Sequence, residues 1–361
     1  MIALASPVSD PALDALMLPF SSGALSWPDA PVLFLRARDG AALRQFPLSQ
    51  LVCEQSFKPF ADELEAGGLQ VIADASSSES TVRYPLVLVL PPRQREEARA
   101  LLARAVSLAA PGGVVMASIT NNEGARSGES DLKQLTGLGG SLTKYHSRTF
   151  WTRPLDGSHD AALHARWSQL DAARPILDGR FASRPGLFAW DRIDPASALL
   201  AENLPPNLAG HGADLGAGYG YLSAEVLARC PNVQALDLYE AEARALELAR
   251  QNLAAQGTAA TLDYRWHDVT TGLPQQYDFI VTNPPFHTQS RADRPDIGRR
   301  FIAVAAESLK SGGRLWLVAN RHLPYEQSLD AAFGQVRIVA ERDGFKVIEA
   351  VKAVPAISKR R

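Results

Sequence analysis

The apolar positions of the second half of the chain alternate between two periods. Tyr277–Thr282 is an apolar run, as expected of a strand buried on both faces of a parallel sheet. Leu246, Ala249 and Leu253 recur at helical spacing within Ala241–Gln256, and Gly257 stands where a helix ends. Leu262, Tyr264 and Trp266 alternate, which predicts a strand over Thr261–His267. Between these lie a strand candidate at Val233–Tyr239, a short helix from Tyr221 to about Arg229, a helix over Arg299–Leu309 and a strand over Arg314–Ala319. Val336–Ala340 and Lys346–Val351 read as an antiparallel pair turning at Asp343-Gly344. Strands alternating with helices predict an α/β fold, a doubly wound parallel sheet.

The first half carries a fainter version of the plan. Leu86–Leu90 is a buried-strand run followed by Pro91-Pro92, a helix over about Glu96–Ala109, Pro111-Gly112-Gly113, and a strand over Val114–Ile119. The second half repeats this order with Phe279–Thr282, Asn283-Pro284-Pro285, a helix, Ser311-Gly312-Gly313 and Arg314–Ala319. We read an internal duplication. The first copy lacks a glycine-rich loop and has Leu90 where the second has Asn283, so its chemistry is lost. Turn-forming pairs crowd Thr152–Pro185, which places the boundary between domains 1–170 and 171–361.

With 361 residues, two domains are expected, since single cores rarely exceed about 250–300 residues. A composition of 46% hydrophobic and 21% charged residues excludes collagen-like, disordered and coiled-coil classes. The formal net charge is −2, so contact with nucleic acid needs a local basic patch. Arg291, Arg294, Arg299 and Arg300 are that candidate, although Asp293 and Asp296 interleave them as on an ordinary solvated face. Two cysteines, Cys53 and Cys230, without a Cys/His cluster, predict no metal site and fit a reducing cytoplasm. No apolar run reaches the roughly 18 residues of a membrane span. The N-terminus lacks the charged and apolar regions of a signal peptide.

Four constellations carry candidate chemistry. Asp214 precedes the loop Gly216-Ala217-Gly218-Tyr219-Gly220, which follows a strand and opens a helix. Glycines let backbone approach a ligand closely, and an acid there suits a cationic ligand. Tyr221 breaks the dinucleotide fingerprint. Glu240, at the end of the next strand, is placed to accept two ribose hydroxyls. Asp237 is the competing acid, but lies mid-strand. Asp268, after the third strand, is a candidate for an adenine amino group or a cap. Asn283-Pro284-Pro285-Phe286-His287 is the most specific. Two prolines remove two amide donors, so the Asn283 oxygen and the Pro284 carbonyl together can accept the hydrogens of one amino group on a planar ring. Phe286 would stack on that ring. His287 touches substrate or caps a helix.

In this order, these motifs resemble class I S-adenosylmethionine-dependent methyltransferases that act on amino nitrogens. The segment Arg314–Tyr325, with Phe333-Gly334, Phe345-Lys346-Val347 and Phe188…Asp194–Leu200, resembles the ribosomal RNA guanine-N2 methyltransferases, both the small-subunit methyltransferase C type and its large-subunit relative, methyltransferase G. That resemblance implies two tandem Rossmann-like methyltransferase domains, the first degenerate and serving folding or RNA binding. It implies methyl transfer from S-adenosylmethionine to guanine N2 in ribosomal RNA, 16S rather than 23S, with ribosomal RNA or a ribosomal subunit as partner and a monomeric chain. Asn283, Pro284 and Phe286 would be catalytic. Asp214, Gly216, Ala217, Gly218, Gly220, Glu240, Asp268 and Asn283 would hold the cofactor. Pro285, Phe286, His287, Arg291 and Arg294 would hold substrate. The rivals are transfer to adenine N6 or a protein glutamine, and a non-catalytic RNA-binding assembly factor.

Overall fold

In the computed structural model, which describes residues 10–72, 82–285, 295–323 and 325–354, the chain divides between Ala172 and Ala173. The first unit runs α1 (Pro11–Ser21), β1 (Val32–Leu35), β2 (Leu51–Glu54), α2 (Lys58–Ala66), β3 (Gln70–Ile72), β4 (Tyr84–Val89), α3 (Arg95–Leu108), β5 (Ala109–Thr120), α4 (Ala125–Thr136), β6 (Gly140–Lys144), β7 (Ser147–Trp151) and α5 (Ala161–Trp167). The second runs β8 (Arg174–Ile176), β9 (Phe181–Ser183), α6 (Pro195–Asn203), β10 (Ala209–Leu215), α7 (Tyr221–Arg229), β11 (Asn232–Glu240), α8 (Ala243–Gln256), β12 (Thr261–Trp266), β13 (Tyr277–Thr282), α9 (Pro295–Ser308), β14 (Leu309–Asn320), α10 (Glu326–Ala332), β15 (Gln335–Arg342) and β16 (Phe345–Val351).

Among the described residues each unit holds one seven-stranded sheet. The orders are β3-β2-β1-β4-β5-β7-β6 and β12-β11-β10-β13-β14-β16-β15, the same arrangement twice. In each, the seventh strand inserts antiparallel beside the fifth. The correspondence reaches single residues. Helices α3 and α9 both have 14 residues, and β5 and β14 both have 12. The register slips between Tyr84 and Leu86 in one unit and between Tyr277 and Phe279 in the other.

The strands expected to begin at Val114 and Arg314, after the Gly-Gly pairs, begin before them, at Ala109 and Leu309. The chain passes from each helix directly into strand, and Gly112 and Gly312 lie within it at φ +78 and +76. At both places the strand advances five residues while its neighbour advances two, from Ala109 to Val114 against Tyr84 to Leu86 and from Leu309 to Arg314 against Tyr277 to Phe279, a bulge that does not end the ladder. The expected linker is also more ordered than its turn pairs implied. It holds α5, N-capped by Asp160 through Leu163 N (2.8 Å), and the β8–β9 hairpin, whose turn carries Asp178-Gly179.

In the second unit the parallel strands separate two apolar layers. Phe279 and Val281 pack with Leu199, Leu200 and Leu246 on one side, and Ile280 packs with Ile302 and Leu315 on the other. The β13 run is buried because both its faces are covered by helices. α9 begins at Pro295 rather than Arg299, with proline at the position where its missing N–H is harmless. β15 and β16 pair as expected, with Asp343 and Gly344 both at positive φ (+51 and +83) in the turn.

At the centre of this sheet, Gly212 of β10 sits beside Phe279 of β13, and a Cβ at Gly212 would enter the phenyl ring. Gly212→Ala is therefore expected to destabilise the fold by roughly 2 kcal/mol through overpacking. The loss should shrink in a Phe279→Leu background. Urea midpoints of the four proteins test this, and an unchanged midpoint for Gly212→Ala would show that the ring has room to move.

Candidate active site

β10 and β13 lie side by side and parallel, with Leu215 opposite Thr282, and Thr282 Oγ1 donates to Leu215 O (2.7 Å). The chain leaves β10 into α7. At this point the strand order reverses, and the carboxyl ends of the two strands border a crevice.

The loop leaving β10 is tied down from below. Gly216 N and Ala217 N both donate to Tyr239 O (2.8 and 3.1 Å). Gly216, Gly218 and Gly220 all have positive φ (+78, +57 and +93). Their surroundings differ. A Cβ at Gly220 would press on Ala249 of α8 at 3.2 Å, so this glycine serves packing. A Cβ at Gly218 would meet nothing within 4 Å, so the backbone there faces open space. Buried Asn252 of α8 clamps the loop: its Nδ2 donates to Tyr219 O (2.8 Å) and Ala182 O (3.0 Å), and its Oδ1 accepts from Ala182 N (2.7 Å). Sequence reasoning passed over Asn252, although a polar residue within the apolar stripe of a helix was its signal.

Two acids flank the loop. Asp214 is fully buried; its Oδ2 accepts from Ser223 Oγ (2.7 Å), and its Oδ1 has no hydrogen-bond partner among the described residues. Loss of solvent pushes its carboxyl up to about 7, against the pull of the Ser223 bond. Glu240 reaches back from β11: Oε2 accepts from Gly218 N and Oε1 from Glu242 N, both at 2.8 Å. Burial raises its carboxyl above the ordinary range. α8 starts at Ala243 rather than Ala241, capped by Glu242, whose Oε1 accepts from Arg244 N (3.3 Å). Asp237, the competing acid, lies three positions away and so on the other face of the strand. Its carboxylate is occupied there by His211 Nε2 (2.7 Å), Tyr277 OH (2.7 Å), Gln275 and Arg265. Asp268 caps a short turn, its Oδ1 accepting from Thr270 N (2.9 Å) and Oγ1 (2.7 Å).

Asn283 ends β13. Its Nδ2 donates to Asp194 Oδ2 (2.9 Å) and to Ser197 Oγ (2.8 Å), while its Oδ1 is buried with no partner among the described residues. Asp194 is also the N-cap of α6, accepting from Ser197 N (2.8 Å). Pro284 is buried and Pro285 exposed. Phe286, His287, Arg291 and Arg294 lie outside the described residues. Arg299 is exposed, whereas Arg300 donates from Nε to Thr270 O (2.8 Å) and pairs with Glu307 (3.2 Å). The structure thus brings together Asp214, the glycine loop, Glu240 and Asn283. Their combined chemistry is an acceptor for a cation, a glycine backbone open to close approach at Gly218, a carboxylate for a diol and a bare carbonyl for an N–H.

The first unit has the same framework with its site filled. Ala37 N donates to Glu54 O (3.0 Å) as Ala217 N does to Tyr239 O, so Arg36-Ala37-Arg38-Asp39-Gly40 occupies the place of Gly216–Gly220. Arg36 keeps the positive φ (+54) of Gly216. Its guanidinium bonds Glu97 (3.0 Å), and Arg38, at the place of Gly218, bonds Asp10 (2.7 Å). Gln55 stands at the place of Glu240. It keeps the bond from the residue two positions on (Phe57 N to Oε1, 2.9 Å) but turns its amide nitrogen onto Ala37 O (2.6 Å). Leu90 stands at the place of Asn283 and is buried.

Comparison with known proteins places this geometry. The Methyltransferase small domain matches residues 178–349. The ribosomal RNA small subunit methyltransferases C of Salmonella choleraesuis and Salmonella typhimurium are each 30% identical to the chain, over 90% of it and 89% of their own length. In fold, the chain resembles the T. thermophilus 16S rRNA N2 G1207 methyltransferase in complex with AdoMet and guanosine, with a TM-score of 0.77 and 24% identity, covering 95% of this chain and 92% of that one. With the motifs spaced along the second unit and the likeness extending through the first, the chain belongs to the ribosomal RNA small subunit methyltransferase C family.

Proposed function

We propose that the chain transfers a methyl group from S-adenosylmethionine to the exocyclic N2 of a guanine in 16S ribosomal RNA, in the cytoplasm. The observation that carries this reading is the Asn283 carbonyl oxygen, buried and unpartnered beside an open glycine loop. The names of the 30%-identical relatives favour ribosomal RNA over adenine N6 or a glutamine amide, which are the same chemistry on other acceptors. The intact loop, Glu240 and Asn283 speak against a non-catalytic assembly factor.

The residues present fit the cofactor. The free Asp214 Oδ1 would meet its ammonium, the loop backbone from Gly216 through Ala217 to Gly220 its methionine part, Glu240 its ribose and Asp268 its adenine amino group. When bound, S-adenosylmethionine supplies a methyl group on a positively charged sulfur. The protein's task is the nucleophile, because the lone pair of a guanine amine is delocalised into the ring. Asn283 Oδ1 accepts one amine hydrogen and the Pro284 carbonyl the other, which favours a pyramidal nitrogen with its lone pair aimed outward. The rate then comes from positioning and electrostatics. Phe286 would stack on the guanine, a contact worth about 1–3 kcal/mol, and Pro285 and His287 would contribute to the same substrate site. The target base leaves its stack to enter. Arg291, Arg294 and exposed Arg299 hold phosphates.

Three outcomes are expected. Asn283→Ala abolishes methyl transfer while cofactor affinity stays within a few-fold; equal loss of both would place Asn283 in the cofactor site instead. The full chain binds one cofactor per molecule by calorimetry, and Gly218→Val or Glu240→Ala weakens that single event. A second equivalent of binding would show that Arg36, Arg38 and Gln55 leave the first unit open.

The third outcome concerns pH. The Asp214 carboxyl stands at about 7 in the folded chain, above its unfolded value. Its contribution to stability is therefore complete below the unfolded carboxyl range and lost as pH rises through about 7. A cationic ligand needs the ionised form. Between pH 6 and 8, the melting temperature of the ligand-free chain should fall while cofactor affinity rises, and Asp214→Asn should flatten both trends. Parallel trends in wild type and Asp214→Asn would assign them to another group.

A further inference from the structure

A primary carboxamide can face a ligand with its oxygen or with its nitrogen, and the two choices recognise opposite partners. The Asn283 nitrogen is fully used inside the protein, one hydrogen on Asp194 Oδ2 (2.9 Å) and the other on Ser197 Oγ (2.8 Å). The oxygen is left buried and unpartnered. Turning the amide over would bring its oxygen against the Asp194 carboxylate and present two N–H donors to the crevice. An amine, itself a donor, would then meet donors.

We propose that Asp194 and Ser197 are positioning residues of the methyl-transfer site, which lock the Asn283 carbonyl toward the acceptor and thereby select an amine over a carbonyl oxygen at that place. The inference rests on the methyltransferase reading above and assigns the part of the site that sets acceptor chemistry. Two N–H bonds, one of them to a charged oxygen, also polarise the amide and strengthen its carbonyl as an acceptor. Ser197 is 8% exposed, so the lock is shielded from competing water.

The repeated unit supplies an independent comparison. α1 and α6 begin alike, with Asp10-Pro11-Ala12-Leu13 and Asp194-Pro195-Ala196-Ser197. Asp10 caps its helix as Asp194 does, accepting from Ala12 N (3.0 Å) and Leu13 N (3.1 Å). The helix cap is thus kept in both units. What differs is the pair facing it: Ser197 and Asn283 in the second unit are Leu13 and Leu90 in the first, buried in one apolar cluster. Asp10 then turns its other oxygen to Arg38. A purely structural role for Ser197 would have no reason to disappear together with Asn283, whereas a lock on that amide does.

The test uses the full-length chain with Ser197→Ala, Asp194→Asn and Asn283→Ala. Ser197→Ala removes only the hydroxyl, because the helix cap uses the Ser197 backbone N–H. Cofactor affinity by calorimetry should stay within about twofold, while kcat on 16S RNA falls about ten- to hundredfold. Discrimination between guanosine and xanthosine, which carries a carbonyl oxygen in place of the 2-amino group, as competitors should fall toward one. Asn283→Ala sets the floor of activity. Wild-type kcat and discrimination in both Ser197→Ala and Asp194→Asn would overturn the lock, as would a parallel loss of cofactor affinity. A wild-type chain that transfers no methyl group to guanine would instead overturn the reading on which the lock rests.

Discussion

The pairing of β10 with β13 is the constraint on which the site depends. The two strands are parallel neighbours, Leu215 beside Thr282, yet they precede segments that depart in different directions. Backbone hydrogen bonding brings their ends together, and the order reversal keeps a helix from filling the space above them. Asp214 and the glycine loop come from one strand end, Asn283 from the other, and Glu240 from the next strand over. No loop has to find its partner across the molecule. The side chains are carried into place by the register of a sheet whose apolar layers are buried on both sides.

The first unit keeps this scaffold with other residues at the places of the site. Both units keep the strand order, the bulge near the start of the fifth strand and a helix opened by Asp-Pro-Ala. The crevice residues change. Arg36 and Arg38 stand where the second unit has glycines, Gln55 donates to the loop carbonyl of Ala37 where Glu240 accepts from the loop amide of Gly218, and Leu90 joins the core where Asn283 keeps a bare oxygen. Arg36 even retains a left-handed conformation (φ +54), which a side chain adopts only under constraint from its surroundings. Fold and site therefore draw on different residues.

That division explains what the sequence made legible. The β13 run stood out because a strand covered on both faces must be apolar throughout, and its bounds agree with Tyr277–Thr282. The glycine loop and Asn283-Pro284-Pro285 stood out because close approach and missing amide donors demand particular residue types. The short strands of the first unit did not: β1 has 4 residues and β3 has 3, too few to show a period. Its filled loop was hidden because arginine at positive φ carries no sequence signal. Asn252 and the pair Asp194 and Ser197 were hidden for another reason: their action is on a distant residue, and a hydrogen bond spanning 86 or 89 positions leaves no local pattern. The segment Asp194–Leu200 stood out as part of a family resemblance, which does not tell what Asp194 and Ser197 hold.

The site also stores instability in a specific form. Asp214 Oδ1 and Asn283 Oδ1 are both buried, and both lack a partner among the described residues. A buried polar group left without a hydrogen bond typically costs about 1–3 kcal/mol. Neither atom can escape, because each side chain is held by its other end, Asp214 by Ser223 and Asn283 by Asp194 and Ser197. The two oxygens differ in what they ask for. One is a carboxylate suited to a cation, the other a neutral carbonyl suited to an N–H that must keep its lone pair free. A ligand that satisfied them would stabilise the folded chain by its binding free energy. Exchanging the two groups would place a full negative charge beside the reacting nitrogen and a weak acceptor beside the cation. In the reading proposed above, Asp214 at the end of β10 serves the cation and Asn283 at the end of β13 serves the amine, and the pairing of those two strands holds the two groups apart and yet side by side.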